Sequence, residues 1–590
     1  MKGQISMLRR FRLWFLLILI LPAVGWFSLN SAKEDDSGWK NWNPSGKSAN
    51  FKIKHRPKTK ILTGAKTSLL IVATSDLHGT LTSTRLLPRK RSRGLLHLAQ
   101  QLKKLREDFP ELILLDAGDT IQGDPSSFYF SHVAPETSRP LPVIELMNQL
   151  KYDALTLGNH DFEPPTKILK QNIAQSEFTW LAANVRLRNA KLPLFPPYKI
   201  IERNGVRVGI LGLTTPGIPL WIDPEQRQGL NFDEMLTTAK IWVKVLREKE
   251  KVDYLIGLFH SGDNTLYDRD VASTRELPHP NAAGMIADYL PDFDLIISGH
   301  AHRISPRRRT EKLKGHQTPL VSPGTAAKGM STILVNFNEK SGNWEIERTV
   351  YDYLKAESVP DPKLLLRLEP RLEKVEKYLA EPTTVFFKRF PNKTELQDCG
   401  IGLSYLAAKQ LESGTLSLLP WWWRWEKLSE SDLGQPLRRE HFFRWLPYDN
   451  RLVLAKLYGR QIEIMLESFR RKQLGWYARS STILAPGGFV AKIADSSKRP
   501  RFNLTNLAGQ TLEPEKMYRV WLTNFHWNGG GGLAAKALLH SSQLLRKESL
   551  HLRELIFQYL KKTSVTLPEK CELFLGIRTG SARKISEAGQ

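Results

Sequence analysis

The stretch LGNHDFE, Leu157 to Glu163, sets an amide, an imidazole and carboxylates side by side directly after the strand-like run DALT. Taken singly it has a plain structural explanation, because Asn, Asp and Gly stop strands and tolerate turns. Four other stretches end in the same way. SDLHGT supplies Asp76 and His78, DAGDTIQGD supplies Asp119, LFHSGDN supplies His260, and SGHAHR supplies His300 and His302. Each closes a short apolar run, and helical patterns such as GLLHLAQQLKKLRE and NFDEMLTTAKIWVKVLREKE lie between several of them. Near-continuous apolar strands alternating with helices predict an α/β domain whose sheet is buried on both faces. In open α/β sheets the loops at the carboxyl ends of strands build the site. Residues two apart on an extended chain point the same way, so Asp76 with His78, and His300 with His302, can converge on one volume. Mixed carboxylate, amide and imidazole ligands suit Zn, Mn, Fe or Co rather than a thiolate site or a Ca cage. The residues alone leave open whether His160 is a metal ligand, a catalytic acid or a structural histidine.

The chain has 590 residues, too many for one core, so at least two folded units are expected. An apolar fraction of 41% and a charged fraction of 25% exclude wholesale disorder. Lys and Arg outnumber Asp and Glu by 86 to 60, leaving +26 with His neutral. Such a surplus favours anionic company: nucleic acid, anionic lipid or phosphorylated substrates. The basic residues are spread out, with small clusters at Arg89 to Arg93 and Arg307 to Arg309, and no specific nucleic-acid partner is expected. Two cysteines, Cys399 and Cys571, exclude a disulfide framework, although an oxidising compartment would allow one bridge between them.

The N-terminus orders a basic MKGQISMLRRFR, an apolar LWFLLILILPAVGWFSL (Leu13 to Leu29) and a polar NSAKEDDSG, the layout of an export signal. Asn30 makes a poor cleavage site before Ala32, and the apolar run is about long enough to cross a bilayer. Residues 1–32 therefore read as a signal peptide or a membrane anchor, and the remainder as extracytoplasmic, in a bacterial periplasm or cell envelope. Residues 33–66 read as a polar linker, 67–355 as the α/β domain, 356–382 as a linker helix, 383–560 as a second domain and 561–590 as a basic tail.

The order D-x-H, GD, GNH, H, GH-x-H resembles the metal-binding blocks of the calcineurin-like metallophosphoesterases. Within them it resembles the exported 5′-nucleotidases, of the bifunctional 5′-nucleotidase/2′,3′-cyclic-nucleotide phosphodiesterase type. That resemblance implies a four-layer α/β/β/α domain followed by a smaller α+β C-terminal domain, and a pair of divalent cations. Asp76, His78 and His302 would hold one, Asn159, His260 and His300 the other, and Asp119 would bridge them. His160 would then face the substrate as a catalytic group, oriented by Glu163 where the family has Asp, with Asp161 at the family's Glu position. LPYDNRLVLAKLYGRQI (Leu446 to Ile462) resembles a block of the family's C-terminal domain, and LAGQTLEPEKMYRVWLTN its later strand pair. There Phe489 would stack on a base and Arg424, in PWWWRW, would bind phosphate. GGGGL, Gly529 to Leu533, departs from the family's GGDGF, with Gly531 for the Asp and Leu533 for the Phe, which weakens base recognition. The implied activity is phosphate release from nucleotides or related small-molecule esters. A non-nucleotide phosphate or sulfur ester as substrate, or a non-catalytic basic protein binding envelope polymers, are the alternatives.

Overall fold

The computed structural model describes residues 68–82, 85–87, 94–263, 277–305, 318–338, 342–354, 358–387, 393–420, 432–467, 484–493, 502–532, 538–563 and 566–567. The N-terminal apolar segment, Arg424, Leu533 and residues 568–590 of the basic tail lie outside them. Among the described residues no helix is long and apolar enough to cross a membrane.

The apolar runs that precede the five polar stretches are strands. In chain order the first unit contains β1 (Ser68–Thr74), β2 (Ile113–Asp116), β3 (Ala154–Thr156), β4 (Thr179–Leu181) and β5 (Val185–Leu187). There follow β6 (Tyr198–Arg203), β7 (Val206–Thr214), β8 (Leu230–Phe232), β9 (Tyr254–His260), β10 (Leu295–Ser298) and β11 (Ile304–Ser305). The last three are β12 (Leu320–Pro323), β13 (Gly329–Asn338) and β14 (Asn343–Tyr353). They form two six-stranded sheets, ordered β14-β13-β1-β2-β3-β4 and β11-β12-β10-β9-β7-β6, while β5 and β8 pair as a small ribbon. Strands β1 to β4 run parallel, as do β7, β9, β10 and β12, so each sheet gathers several carboxyl ends on one side. β6 and β11 were not anticipated from the sequence; YKIIER alternates too weakly to announce a strand, and β11 has two residues.

Three apolar clusters give the layers. Ile71, Ile113, Leu115 and Ala154 of the first sheet meet Val208, Ile210, Ile256, Leu258 and Ile297 of the second, which fuses the sheets face to face. Outside the first sheet lie the helices Leu95–Asp108, Pro142–Gln149 and Thr166–Ala174. Outside the second lie Met235–Lys244 and Ala283–Tyr289. The result is the expected α/β/β/α sandwich. Its inner strands are apolar on both faces because each face meets a different layer, which explains the near-continuous hydrophobic runs.

The helix Pro362–Leu379 begins where Asp361 accepts from the N–H groups of Lys363 and Leu364, both at 3.0 Å. Its Leu368, Leu372 and Val375 join the outer cluster of the first unit. Arg371, 2% exposed on its side chain, pairs with Glu145 at 3.1 Å and lies over Phe130 at 4.3 Å. This connecting helix is thus packed on the first unit. The second unit holds a five-stranded sheet: Leu484–Gly487, Leu416–Pro420, Met517–Thr523, Arg451–Tyr458 and Leu544–His551, in that order. Of the stretch Leu507–Asn524, only Met517–Thr523 is a strand, and it pairs with Arg451–Tyr458 rather than with a neighbour inside that stretch. Cys399, buried in the helix Lys393–Leu411, is disulfide-bonded, and Cys571 lies outside the described residues.

Ile256 is fully buried between the sheets, and truncating it leaves a cavity that rigid neighbours on both sides cannot close. Ile256→Ala is expected to lower the unfolding free energy by about 2–5 kcal/mol, read as a lower urea midpoint at unchanged m-value.

Candidate metal centre

Each of the five polar stretches turns sharply off a strand end. The chain leaves β1 at Asp76 and His78, β2 at Asp119, β3 at Asn159 and His160, and β10 at His300 and His302, while His260 is the last residue of β9. Asp76, His78, Asp119, His300 and His302 all take positive φ, between 49° and 72°. For non-glycine residues this left-handed backbone costs roughly 1–2 kcal/mol each, so surrounding contacts must hold it. The glycines beside them permit the close approach. A Cβ at Gly158 would fall 2.2 Å from Asp119 Oδ1, and one at Gly299 would fall 2.6 Å from the Ala117 carbonyl oxygen.

Two groups of side chains converge there. Ligand atoms of Asp76, His78 and His302 lie within 4.8 Å of one another, and so do those of Asp119, His260 and His300. Asn159 belongs with the second group: its Oδ1 is 3.2 Å from His260 Nε2, which is also 3.1 Å from Asp119 Oδ2. The groups touch each other. The backbone N–H of His300 donates to Asp76 Oδ1 at 3.1 Å, which joins them, and within the second group the rings of His260 and His300 sit 5.2 Å apart. All seven ligand positions expected from the sequence are therefore brought to one volume.

The chemistry of this donor set fits a cation. His78 Nδ1–H donates to the carbonyl of Gln122 at 3.0 Å, and His260 Nδ1–H donates to that of Ala117 at 2.7 Å. With Nδ1 carrying the proton, each ring in its neutral form presents the Nε2 lone pair to the centre. His78 Nε2 then faces His302 Nε2 at 3.1 Å, and His302 Nε2 lies 3.3 Å from Asp76 Oδ1. With His302 also carrying its proton on Nδ1, these nitrogen and oxygen lone pairs converge as a cation's ligands would. A proton is disfavoured at His78, which burial and then His302 push down to about 4. His300 is pushed to about 3 by burial and by His260. Burial alone would raise the two carboxyls, but His302 holds Asp76 below its ordinary range and His260 holds Asp119 well below it. Ionised carboxylates and neutral His78 and His300 are the protonation states a divalent metal requires, whereas at His260 burial is outweighed by Asp119, which raises it to about 9.

His160 is placed differently. Its backbone N–H donates to Asp119 Oδ1 at 2.7 Å, while its half-buried ring stands edge-on to that of His78, with centroids 5.3 Å apart. His160 Nδ1 and Glu163 Oε1 are 2.8 Å apart, and the ring stacks on Tyr448 of the second unit at 6.3 Å and 14°. Burial works against protonation, but Glu163 and Asp119 raise His160 to about 10. Of the two carboxylates after His160, Glu163 takes the ring and Asp161 does not. Asp161, fully buried, accepts from the N–H groups of Gly158, Thr120 and Ile121 at 2.8, 2.8 and 3.0 Å, and of Asp119 at 3.1 Å. It ties the GNH loop to the GD loop. Neither that role nor Tyr448 was foreseen; an Asp packed among turn glycines was the available signal for the first.

Phe489, expected to stack on a base, is 1% exposed and packs with Leu484, Phe502 and Leu504 in the second unit's core. The ribbon formed by Phe489–Ile493 and Phe502–Asn506 turns it inward, so it has no free face for a ligand. A cleft beside the centre is lined by Glu163, Trp221, Asp223, Asp449, Arg451 and Asn524 among others.

Residues 69–303 match the family described as calcineurin-like phosphoesterase, and residues 427–538 the family described as 5′-nucleotidase, C-terminal domain. Fold and site together define a metallophosphoesterase. The chain thus carries a calcineurin-like phosphoesterase unit followed by a 5′-nucleotidase C-terminal domain. It is 28% identical over 344 residues to the 2′,3′-cyclic-nucleotide 2′-phosphodiesterase/3′-nucleotidase of Haemophilus influenzae, covering 53% of this chain and 50% of that protein. To Protein UshA of Yersinia enterocolitica it is 24% identical over 463 residues, covering 71% and 78%. The 5′-nucleotidase precursor of Thermus thermophilus superposes with a TM-score of 0.62 at 20% identity, covering 85% of this chain and 97% of that one, which establishes the shared fold. The chain spans about half the length of the cyclic-nucleotide phosphodiesterases it matches.

Replacing Asp161 by Asn turns an acceptor into a donor that faces backbone N–H groups. Asp161→Asn is expected to cost about 1–3 kcal/mol and to reduce bound metal, checked by thermal unfolding and elemental analysis of the same preparation.

Proposed function

We propose that this chain is a metal-dependent phosphoric ester hydrolase, releasing phosphate from extracytoplasmic nucleotides or related small-molecule esters. The observation that carries the reading is the convergence of seven polar side chains into two touching groups whose lone pairs face one another. Asp76, His78 and His302 would hold one divalent cation, and Asn159, His260 and His300 the second, with Asp119 reaching both. Zn, Mn, Fe and Co all suit these donors. When bound, such a pair supplies Lewis-acid charge that makes water more acidic and offsets charge gathering on phosphoryl oxygens.

The protein's own groups supply the rest. His160 donates a proton to the departing ester oxygen, and the Glu163 carboxylate 2.8 Å away holds the imidazolium and its orientation. The bond from the His160 backbone N–H to Asp119 ties this acid to the residues that would hold the cations. Tyr448 closes one side of the ring. The N-terminal layout supports a place outside the cytoplasm, by cleaved export or a retained anchor. The disulfide at Cys399 agrees with an oxidising compartment.

A second reading keeps the site for a non-nucleotide phosphate or a sulfur ester. It is favoured by Phe489, which is packed inside the core, and by the altered GGGGL stretch. Phosphate release from AMP and from p-nitrophenyl phosphate, with Mn, Zn or Co supplied, separates the two. Turnover of the aryl ester without AMP cleavage selects the second reading. Release from neither sinks both.

His160→Ala should lower turnover by at least ~100-fold, the scale of a lost general acid, with metal content unchanged by elemental analysis. Loss of metal in that variant would reverse the assignment of Asn159 and His160. Exhaustive chelation should abolish turnover, and adding back Mn, Zn or Co should restore it, followed as phosphate release.

A further inference from the structure

A chain of buried polar contacts leads from the second unit to the metal ligand His78, and nothing in the proposed reaction requires it. The Gln122 backbone carbonyl accepts the His78 Nδ1–H at 3.0 Å. The side chain of the same Gln122, 3% exposed, donates to Asp449 Oδ2 at 2.8 Å. Asp449 belongs to the second unit, and its other oxygen receives Arg553 Nη2 at 2.6 Å. Arg553 is 1% exposed, donates to the Leu446 carbonyl at 2.9 Å, and lies over Phe443 at 3.7 Å and over Phe128 of the first unit at 4.6 Å. Both oxygens of Asp449 are thus paired with buried side chains, and aromatic rings from both units cover the ion pair.

The segment around Gln122 has little other freedom. Asp161 holds the N–H groups of Thr120 and Ile121, and Gly123, at φ 126, passes so near His78 that a Cβ there would fall 2.9 Å from His78 Cβ. Asp161 secures this segment on its N-terminal side, and the Gln122–Asp449 bond secures it from the second unit. The carbonyl that fixes the His78 tautomer and ring direction is therefore anchored across the domain boundary. We infer that Gln122 and Asp449 are positioning residues through which docking of the second unit tunes the affinity of the cation site built on His78. This rests on the proposed role of His78 as a ligand. Partners of this kind, one bond behind a ligating histidine, typically change metal affinity by ~10–100-fold.

The test is a two-site Co²⁺ titration of the metal-free full chain, followed by visible absorption, alongside thermal unfolding of the same metal-free protein. Gln122→Leu cuts the link but leaves the Asp449–Arg553 pair and the Gln122 carbonyl in place. One of the two sites should weaken ~10-fold or more while the other stays within about twofold. Asp449→Asn should weaken the same site, and the double variant should do no more than the larger single one. Equal weakening of both sites, or no change in either beside a lowered melting temperature, would reduce the contact to domain glue and overturn the inference. If the wild-type chain bound no cobalt pair at all, the hydrolase reading would fall and take this link with it.

Discussion

The structure depends on positive charge being supplied where two sheets bring their strand ends together. His78 and His302 present nitrogen to nitrogen at 3.1 Å, and His260 stands against Asn159 and Asp119 at 3.2 and 3.1 Å. These gathered lone pairs call for positive charge, which a bound cation or His260, raised to about 9 beside Asp119, can supply. Five of its residues also sit in a backbone conformation that side chains disfavour. The fold bears these costs through the inter-sheet cluster, where buried aliphatic side chains contribute on the order of 1.5–3 kcal/mol apiece.

Around that centre the polar groups fall into an order of dependence. The ligating histidines are set by backbone carbonyls at Gln122 and Ala117, and the loops that carry those carbonyls are held by Asp161 and by the close approach of glycines. His160 is tied to the same loops through its backbone and free of them through its ring, which suits a group that must meet substrate. The second unit enters twice, as Tyr448 against His160 and as Asp449 against Gln122. A catalytic centre made by one domain is therefore finished by contacts from another, while the cleft between them is lined by polar groups of both.

Much of this was legible in the chain. The apolar runs announced their strands because burial on both faces demands it, and the residues that end them were named as ligands before any geometry was known. The family resemblance pointed to Glu163 as the partner of His160, and a short turn sets the two 2.8 Å apart. Other features were not. Asp161 reads like any turn aspartate, and its four N–H donors come from three different loop positions beside its own. Phe489 sits in an apolar run that fits a ligand face as well as a core face; a one-residue difference in register decides between them.

The sequence by itself determined the alternation of strands and helices, the polar strand ends and the donor types, because periodicity and chemistry are local properties of the chain. Only the tertiary structure decided which lone pairs meet, which carboxylate serves His160, and that Gln122 touches a residue more than three hundred positions away. Those outcomes depend on how two sheets and a second unit dock, and docking is set by the summed packing of distant apolar faces that no short stretch encodes.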